Sequence, residues 1–202
     1  MSLNNTVSDQ FRFYSSSLSD VLKHMDWTNA ELLAKDLLNC WQSGRQVFLA
    51  GNGGSAGNAN HIANDFLYPI SKQFGSGIKI HSLSVNPAIL SCLANDLGYE
   101  HVFSGQLSVL ANSGDILVVL SGSGNSINIV NALYEARRIG VKSYAIVGFD
   151  GGRAKNNADI PIHFPINDMQ IAEDTQTILF HMIVQWLYPQ RNSIVHSHGH
   201  EE

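Results

Sequence analysis

The sequence predicts a three-layer α/β/α sandwich built on a parallel β-sheet and preceded by a helical N-terminal arm. Apolar runs of strand length alternate with segments that repeat apolar residues every three or four positions. Some runs, such as ILVVL at 116–120, are apolar throughout, which is typical of strands buried on both faces of a parallel sheet. The 202 residues, 44% of them hydrophobic, supply one large core. We expect one domain over 1–202, with N-terminal helices over 1–43, an α/β core over 44–190 and a flexible tail over 191–202.

The N-terminal arm and the first strand follow from local patterns. Between Phe11 and Gln42, apolar residues recur at intervals of three and four, and the pattern is interrupted near Asp26. This predicts two amphipathic helices. The apolar run at 46–50 then predicts a strand, the glycine-rich segment at 51–55 a turn, and the segment at 56–67 a helix.

The same alternation continues to the C-terminus. We predict further strands over 78–83, 115–120, 143–147 and 160–165, and helices over 88–95, 126–139 and 171–187. In open parallel sheets, ligands bind outside the carboxyl ends of the strands, where loops lead into helices. The segments that follow the strands are therefore the first candidates for a site.

Composition and charge argue against several function classes. The chain has 17 acidic and 12 basic residues and a net charge of -5, so we expect no direct binding of nucleic acid. Cys40 and Cys92 have neither disulfide-framework nor zinc-motif spacing. Without a signal-peptide pattern or an apolar run of about 18 residues, we expect a cytoplasmic protein with no membrane partner. The alternating His196, His198 and His200 could bind a metal opportunistically or form a solvated terminus.

Two predicted strand-to-helix loops are rich in glycine and serine, GNGGS at 51–55 and SGSGNS at 121–126. Glycines let the backbone approach a ligand, hydroxyls donate hydrogen bonds, and a following helix N-terminus favours negative charge. Neither loop has the pattern of a nucleotide P-loop or a dinucleotide fingerprint. Each alone could be a tight turn with helix caps. Two such loops in one parallel sheet favour a site that binds the phosphate group of a small metabolite.

Two His/carboxylate pairs at helical spacing form a candidate metal and acid/base group. His61 and Asp65 are four positions apart and Glu173 and His181 are eight apart, so each pair shares a helix face. Imidazole and carboxylate ligands suit zinc or another divalent ion, which would polarise a carbonyl group of a substrate. The alternatives are a histidine in the N-terminal turns of its helix with a solvated carboxylate, and a hydrogen-bonded core histidine at position 181.

Taken in order, several motifs resemble one known family. They are GNGGSAGNANH, LANDLG, SGSGNS and GFDGG, followed by Glu and His eight apart in a late helix. This order is similar to that of the phosphoheptose isomerases, a branch of the sugar isomerase (SIS) family, over about residues 32–187. The resemblance implies a metal-dependent isomerase that interconverts sedoheptulose 7-phosphate and a D-glycero-manno-heptose 7-phosphate through a cis-enediol. It also implies a homotetramer with sites between subunits.

The resemblance assigns roles by position. It implies that the substrate site is lined by Asn52, Gly53, Gly54, Ser55 and Glu173. The phosphate would be held by Ser121, Gly122, Ser123 and Ser126. Asn95 and Asp96, which alone predict a helix end and a turn, would contact the sugar. The zinc ligands would be His61, Asp65, Glu173 and His181, and Asp65 and His181 would also be the catalytic acid/base pair.

The chain departs from the family pattern at five positions. The family usually has glutamate at Asp65, glutamine at Glu173, threonine at Gly122, arginine at Pro69 and aspartate at Gln170. The shorter Asp65 withdraws a carboxylate by one methylene, while the charge at Glu173 would strengthen the hold on a divalent cation. A different sugar phosphate is therefore one alternative. Another is a non-catalytic SIS module that binds a sugar phosphate or a replication-initiator-type protein; the four candidate ligands favour the enzyme.

Overall fold

The computed structural model describes residues 6–191 and begins with a helical arm. Helices α1 (Val7–Lys23) and α2 (Thr28–Ser43) confirm the two predicted helices with a break around Asp26. A capping box starts α1, in which the Asp9 amide donates to Thr6 Oγ1 and the Thr6 amide donates to the Asp9 carboxylate. Gly44 ends α2 in the left-handed region, with a φ of 67°.

A five-stranded sheet forms the centre of the molecule. Its strands are β1 (Gln46–Gly51), β2 (Lys79–Ser82), β3 (Ile116–Ser121), β4 (Lys142–Val147) and β5 (Ile160–His163). All neighbouring pairs are parallel, and the order is β2-β1-β3-β4-β5. The chain therefore reverses its winding direction between β1 and β3. In this doubly wound order, the crevice at the carboxyl ends of those two strands is the expected ligand site.

Six further helices connect or follow the strands. They are α3 (Gly53–Leu67), α4 (Pro87–Leu97), α5 (Ser104–Leu110), α6 (Ile127–Ile139), α7 (Gly152–Asn157) and α8 (Met169–Leu187). Short 3-10 turns lie at Tyr99–His101 and Tyr188–Gln190. No helix within residues 6–191 is long and apolar enough to cross a membrane.

The sheet has a hydrophobic core on each face, which confirms the three-layer architecture. Ile116, Val118 and Leu120 of β3 pack with buried residues of α2, α3 and α8. Leu117 and Val119 face the opposite way and pack with buried residues of α5, α6 and α7. This alternation is the two-residue period of a strand buried on both sides.

Four local features differ from the predictions. The sequence patterns did not predict α5, α7 or the turn at Tyr99–His101. Helix α3 begins at Gly53 instead of residue 56, because the turn is made by Asn52 and by Gly53 with a φ of 54°. The amide of Ala56 already donates to the Asn52 carbonyl. Gly53, Gly54 and Ser55 therefore belong to the first turn of α3, and their amides are helix N-terminal groups.

Candidate active site

The segments after β1 and β3, together with the start of α8, line a cavity of about 310 Å³, which we call the loop cavity. It lies at the winding reversal of the sheet. The structure brings nine of the predicted substrate residues together in its lining: Asn52, Gly53, Gly54, Ser55, Ser121, Gly122, Ser123, Ser126 and Glu173. Leu120 and Met169, which the sequence did not single out, complete the lining.

Two helix N-termini open on the loop cavity without side-chain caps. The N-cap residues Asn52 of α3 and Ser126 of α6 make no side-chain hydrogen bond to their helices. In contrast, Thr6, Asn86 and Asp168 cap α1, α4 and α8. The amides of the first turn of α3 and those of Ile127 and Asn128 in α6 therefore lack a capping side chain, and the helix dipoles favour negative charge there. No lining residue is basic, so an anion held here would be bound by amides and hydroxyls.

The serine hydroxyls around the loop cavity accept hydrogen bonds and so retain their own hydrogens. Ser121 Oγ accepts from the Gly124 amide at 3.1 Å, and Ser123 Oγ accepts from the Asn125 amide at 3.3 Å. Each hydroxyl hydrogen can still be donated, because a hydroxyl offers one donor besides its lone pairs. The loop is thus held by contacts that leave its donors for a ligand.

Met169 stands where a side chain at position 122 would lie. A Cβ built on the buried Gly122 would be 2.5 Å from Met169 Sδ, well inside van der Waals contact. Met169, in the first turn of α8, gives this wall of the loop cavity an apolar thioether. A side chain at position 122 would therefore need the space that the Met169 side chain occupies.

Glu173 reaches the opposite wall of the loop cavity. A Cβ on Gly54 would lie 2.2 Å from Glu173 Oε2, so only a glycine leaves room for the carboxylate against the first turn of α3. Helix α8 is fixed along α3 by Asn58, whose Nδ2 donates to the Glu173 carbonyl at 2.9 Å, and by Gln176, whose Nε2 donates to Ser55 Oγ at 3.1 Å. The cavity thus has an acidic side chain on the α8 side and helix amides on the other side.

Three of the four predicted metal ligands converge on the neighbouring faces of α3 and α8. His61 Nε2 lies 3.0 Å from His181 Nε2, and Asp65 Oδ2 lies 3.5 Å from each imidazole nitrogen. A tetrahedral zinc ion with bonds of about 2.0–2.1 Å separates its ligands by about 3.3 Å. The separations between the three donors therefore fit one such ion. Both histidines are about half exposed, at 48% and 49% of their side-chain surface.

The remaining predicted residues lie elsewhere. The Glu173 carboxylate lies against Gly54, outside the three-residue group, so its role as a ligand stays a prediction. Asn95 and Asp96 are exposed in the last turn of α4, where Asn95 Nδ2 donates to Asp96 Oδ1 at 2.7 Å. Neither lines the loop cavity, and their contact with a sugar stays a prediction. The C-terminal histidines at 196, 198 and 200 are outside the described residues.

The loop cavity and the three-residue group are connected by the same two helices. Gly53 and Glu173 line the cavity, and His61 and His181 follow eight positions later on α3 and α8. Eight residues of α-helix advance about 12 Å. The two helices run alongside each other over this distance, from the contact of Ser55 with Gln176 to that of His61 with His181. The loop cavity and the three-residue group therefore lie about two helical turns apart.

Buried polar residues that the sequence analysis missed hold these parts in place. Asn128 is 1% exposed and hydrogen-bonds the Asn52 side chain, and Gln176 is 1% exposed and hydrogen-bonds Ser55. A polar residue in the apolar face of a predicted helix is the only signal that could have found them.

Cys40 is excluded as a nucleophile, because burial raises the pKa of its thiol to about 12.

Comparison with known proteins identifies the family and the fold. The model of the SIS domain family matches residues 11–148. The phosphoheptose isomerase of Aliarcobacter butzleri is 31% identical over 185 residues, which cover 91% of this chain and 96% of the relative. That of Trichlorobacter lovleyi is 33% identical over 179 residues, covering 85% and 90%. The solved phosphoheptose isomerase of Neisseria gonorrhoeae shares the fold, with a TM-score of 0.82 at 24% identity over 90% of this chain and 98% of that one. The chain therefore belongs to the SIS domain family, in the branch of the phosphoheptose isomerases.

Proposed function

We propose that the chain is an aldose–ketose isomerase that interconverts sedoheptulose 7-phosphate and a D-glycero-manno-heptose 7-phosphate. The observation that carries this proposal is the placement of an anion-binding cavity and a His/Asp/His group on the same two helices. The names of the relatives support the reaction class. The distance between the loop cavity and the His/Asp/His group supports a substrate as long as a seven-carbon sugar phosphate.

The size of the sugar phosphate matches that distance. Eight single bonds separate C1 from phosphorus in a heptose 7-phosphate, and an extended chain advances about 1.25 Å per bond, or about 10 Å in all. The helices advance about 12 Å from the loop cavity to the three-residue group. A phosphate in the cavity would therefore bring C1 and C2 close to Asp65 and His181.

In this proposal the loop cavity binds the phosphate. The first amides of α3 and α6 and the hydroxyls of Ser121, Ser123 and Ser126 would donate to its oxygens. Hydrogen bonds to a charged acceptor stabilise a complex by about 1.5–3 kcal/mol each. Several of them would compensate for the lack of a basic side chain in the lining.

Asp65 and His181 would carry the proton transfers. In the direction from ketose to aldose, one of them removes a proton from C1 while O2 gains a proton, which gives the cis-enediol. A proton then leaves O1 and C2 gains one, which gives the aldehyde at C1. The two groups lie 3.5 Å apart, close enough to serve adjacent atoms of one substrate.

We also propose that His61, Asp65 and His181 hold a divalent ion, with Glu173 as a further ligand. Two imidazoles and a carboxylate at these separations suit zinc. Such an ion would supply a Lewis acid for the sugar carbonyl.

A homotetramer with sites between subunits is proposed as the working assembly. Apolar side chains of α1 are exposed, Val7 at 70%, Phe11 at 69% and Phe13 at 64%. An apolar groove of about 400 Å³ also lies between α2 and α8, beside Trp27 and Trp186. Such surfaces are typical of subunit contacts. Light scattering should show a particle of four chains; a monomer at micromolar concentration would contradict this proposal.

The experiment that tests the function is a panel of ketose phosphates. We expect the purified chain to convert sedoheptulose 7-phosphate into an aldose, detected by NMR of the anomeric protons. If the chain converts only a six-carbon ketose phosphate, that compound would replace sedoheptulose 7-phosphate as the proposed substrate. Binding of sugar phosphates without turnover of any would favour a non-catalytic module, either a sugar-phosphate sensor or a binder of a replication-initiator-type protein.

A further inference from the structure

The side chain of Asn52 is held by a reciprocal amide pair. Asn52 Nδ2 donates to Asn128 Oδ1 at 2.9 Å, and Asn128 Nδ2 donates to Asn52 Oδ1 at 2.9 Å. Asn52 follows β1, and Asn128 lies in the first turn of α6, where it is 1% exposed. The pair therefore joins the two walls of the loop cavity.

A backbone amide fixes the orientation of this pair. The Ile129 amide donates to Asn128 Oδ1 at 3.0 Å. This amide belongs to the first turn of α6 and has no backbone carbonyl partner within the helix. If the Asn128 amide were flipped, its NH2 would face the Ile129 N–H, donor against donor. The Asn128 oxygen is therefore fixed, and so is the Asn52 amide opposite it.

The fixed orientation determines what Asn52 can offer a ligand. Asn52 Oδ1 accepts from Asn128 Nδ2 and from the Tyr99 hydroxyl, both at 2.9 Å, so both of its lone pairs are used. One N–H of Asn52 Nδ2 is used by Asn128. The second N–H has no partner among residues 6–191, and Asn52 lines the loop cavity. Asn52 can therefore meet a ligand only as a hydrogen-bond donor.

We propose that Asn128 is a positioning residue that holds Asn52 so that its second Nδ2 hydrogen is donated to an oxygen of the bound sugar phosphate. The identity of that ligand rests on the proposed function. This proposal makes the prediction that Asn52 lines the substrate site more specific. Asn52 donates to the substrate and does not accept from it. Its orientation depends on Asn128, a buried residue that does not contact the substrate.

Aspartate at position 128 is the sharpest perturbation. Asn128→Asp keeps the size of the side chain and still accepts from the Ile129 amide. It replaces the Nδ2 donor by an oxygen that faces Asn52 Oδ1, so the Asn52 amide must turn or withdraw. Because aspartate also adds charge, the neutral Asn128→Ala is measured beside it. Asn131→Asp is the matched control: it lies one turn later on α6, donates to the Glu100 carbonyl at 3.0 Å and is absent from the cavity lining.

Steady-state kinetics separate positioning from a general structural role. Losing one hydrogen bond to a charged oxygen raises KM about 10- to 100-fold. We expect this rise in Asn128→Asp, Asn128→Ala and Asn52→Asp, with kcat within about threefold of wild type, and no rise in Asn131→Asp. A wild-type KM in Asn128→Ala or in Asn52→Asp would overturn the inference.

NMR of the Asn52 side-chain amide gives a second readout that does not require turnover. On titration with sedoheptulose 7-phosphate or with inorganic phosphate, one Nδ2 proton of wild-type Asn52 should shift while the proton bound to Asn128 stays in place. In Asn128→Asp this difference between the two protons should disappear. If wild type turns over no ketose phosphate, the proposed function fails, and the amide titration still decides the role of Asn128. If neither proton of wild-type Asn52 responds to either ligand, the inference is overturned.

Discussion

Replacing Glu173 by glutamine is expected to lower KM for the sugar phosphate about fivefold, because it removes a negative charge from the loop cavity. The cavity of about 310 Å³ corresponds to a sphere roughly 8 Å across, which limits the separation between the carboxylate and a bound phosphate to about that distance. A phosphate monoester carries about -1.5 to -2 charges at pH 7.

The repulsion follows from Coulomb's law. At about 8 Å, charges of -1 and -1.5 repel by about 0.8 kcal/mol at the dielectric constant of water and by about 3 kcal/mol at an effective value of 20. Glu173 is partly exposed, so the lower end applies. About 1 kcal/mol corresponds to a fivefold change in KM.

The assay is steady-state turnover of sedoheptulose 7-phosphate at low and high salt. The effect should shrink in 1 M salt, where the Debye length is about 3 Å. Asp174→Asn is the control, since this exposed neighbour makes the same charge change outside the cavity lining, beside Tyr14. Because Glu173 is also proposed as a metal ligand, metal content is measured in both variants and KM is compared on metal-replete protein. An unchanged or higher KM in Glu173→Gln, or an equal effect of Asp174→Asn, would refute the reasoning.

Three further predictions concern other residues. Asp65→Asn and His181→Ala should each lower kcat by at least about 10²-fold with an unchanged circular dichroism spectrum, because each removes a proton-transfer group; near-normal turnover in both would contradict the assignment. Gly122→Thr should lower kcat/KM and Tm because its Cβ meets Met169 Sδ, and adding Met169→Ala should restore part of both; strictly additive effects in the double-mutant cycle would show that the two sites are independent. Burial and a hydrogen-bonded carboxylate raise the pKa of Tyr14 to about 12 from 10.0, so the neutral phenol stabilises the fold below pH 10 and this contribution is lost as the pH rises through about 12. Denaturant titrations between pH 8 and 11 should show a smaller loss of stability in Tyr14→Phe than in wild type.

The architecture was predictable because the strands are buried on both faces. The run at 116–120 is apolar throughout because alternate residues enter different cores. The loops after β1 and β3 were recognisable from glycine and serine. Their meeting in one cavity depends on the order of the strands, which the sequence does not display.

Short or polar helices left no periodic signal. Helix α5 has seven residues, too few to repeat a face, and α7 buries Ala154 alone among polar neighbours. Both form because they pack against α6 on the finished sheet. Their stability is tertiary, so local patterns did not predict them.

In the candidate site, too, some features follow from local spacing in the sequence and others arise only from tertiary packing. His61 and Asp65 share a helix face that spacing predicts, whereas His181 joins them from 120 positions away. Asn128 resembles any polar residue near a helix start, and its burial and its pairing with Asn52 exist only after β1 and β3 are neighbours. Spacing along one helix is predictable, and convergence between helices is not.

The measurement that tests the account most directly is turnover of sedoheptulose 7-phosphate by the purified chain before chelation, after chelation and after zinc is added back. The account predicts conversion to the aldose phosphate, its loss on chelation and its recovery with zinc, since His61, Asp65 and His181 are spaced for one divalent ion. Metal-replete protein that binds the sugar phosphate and converts none of it would contradict the central claim.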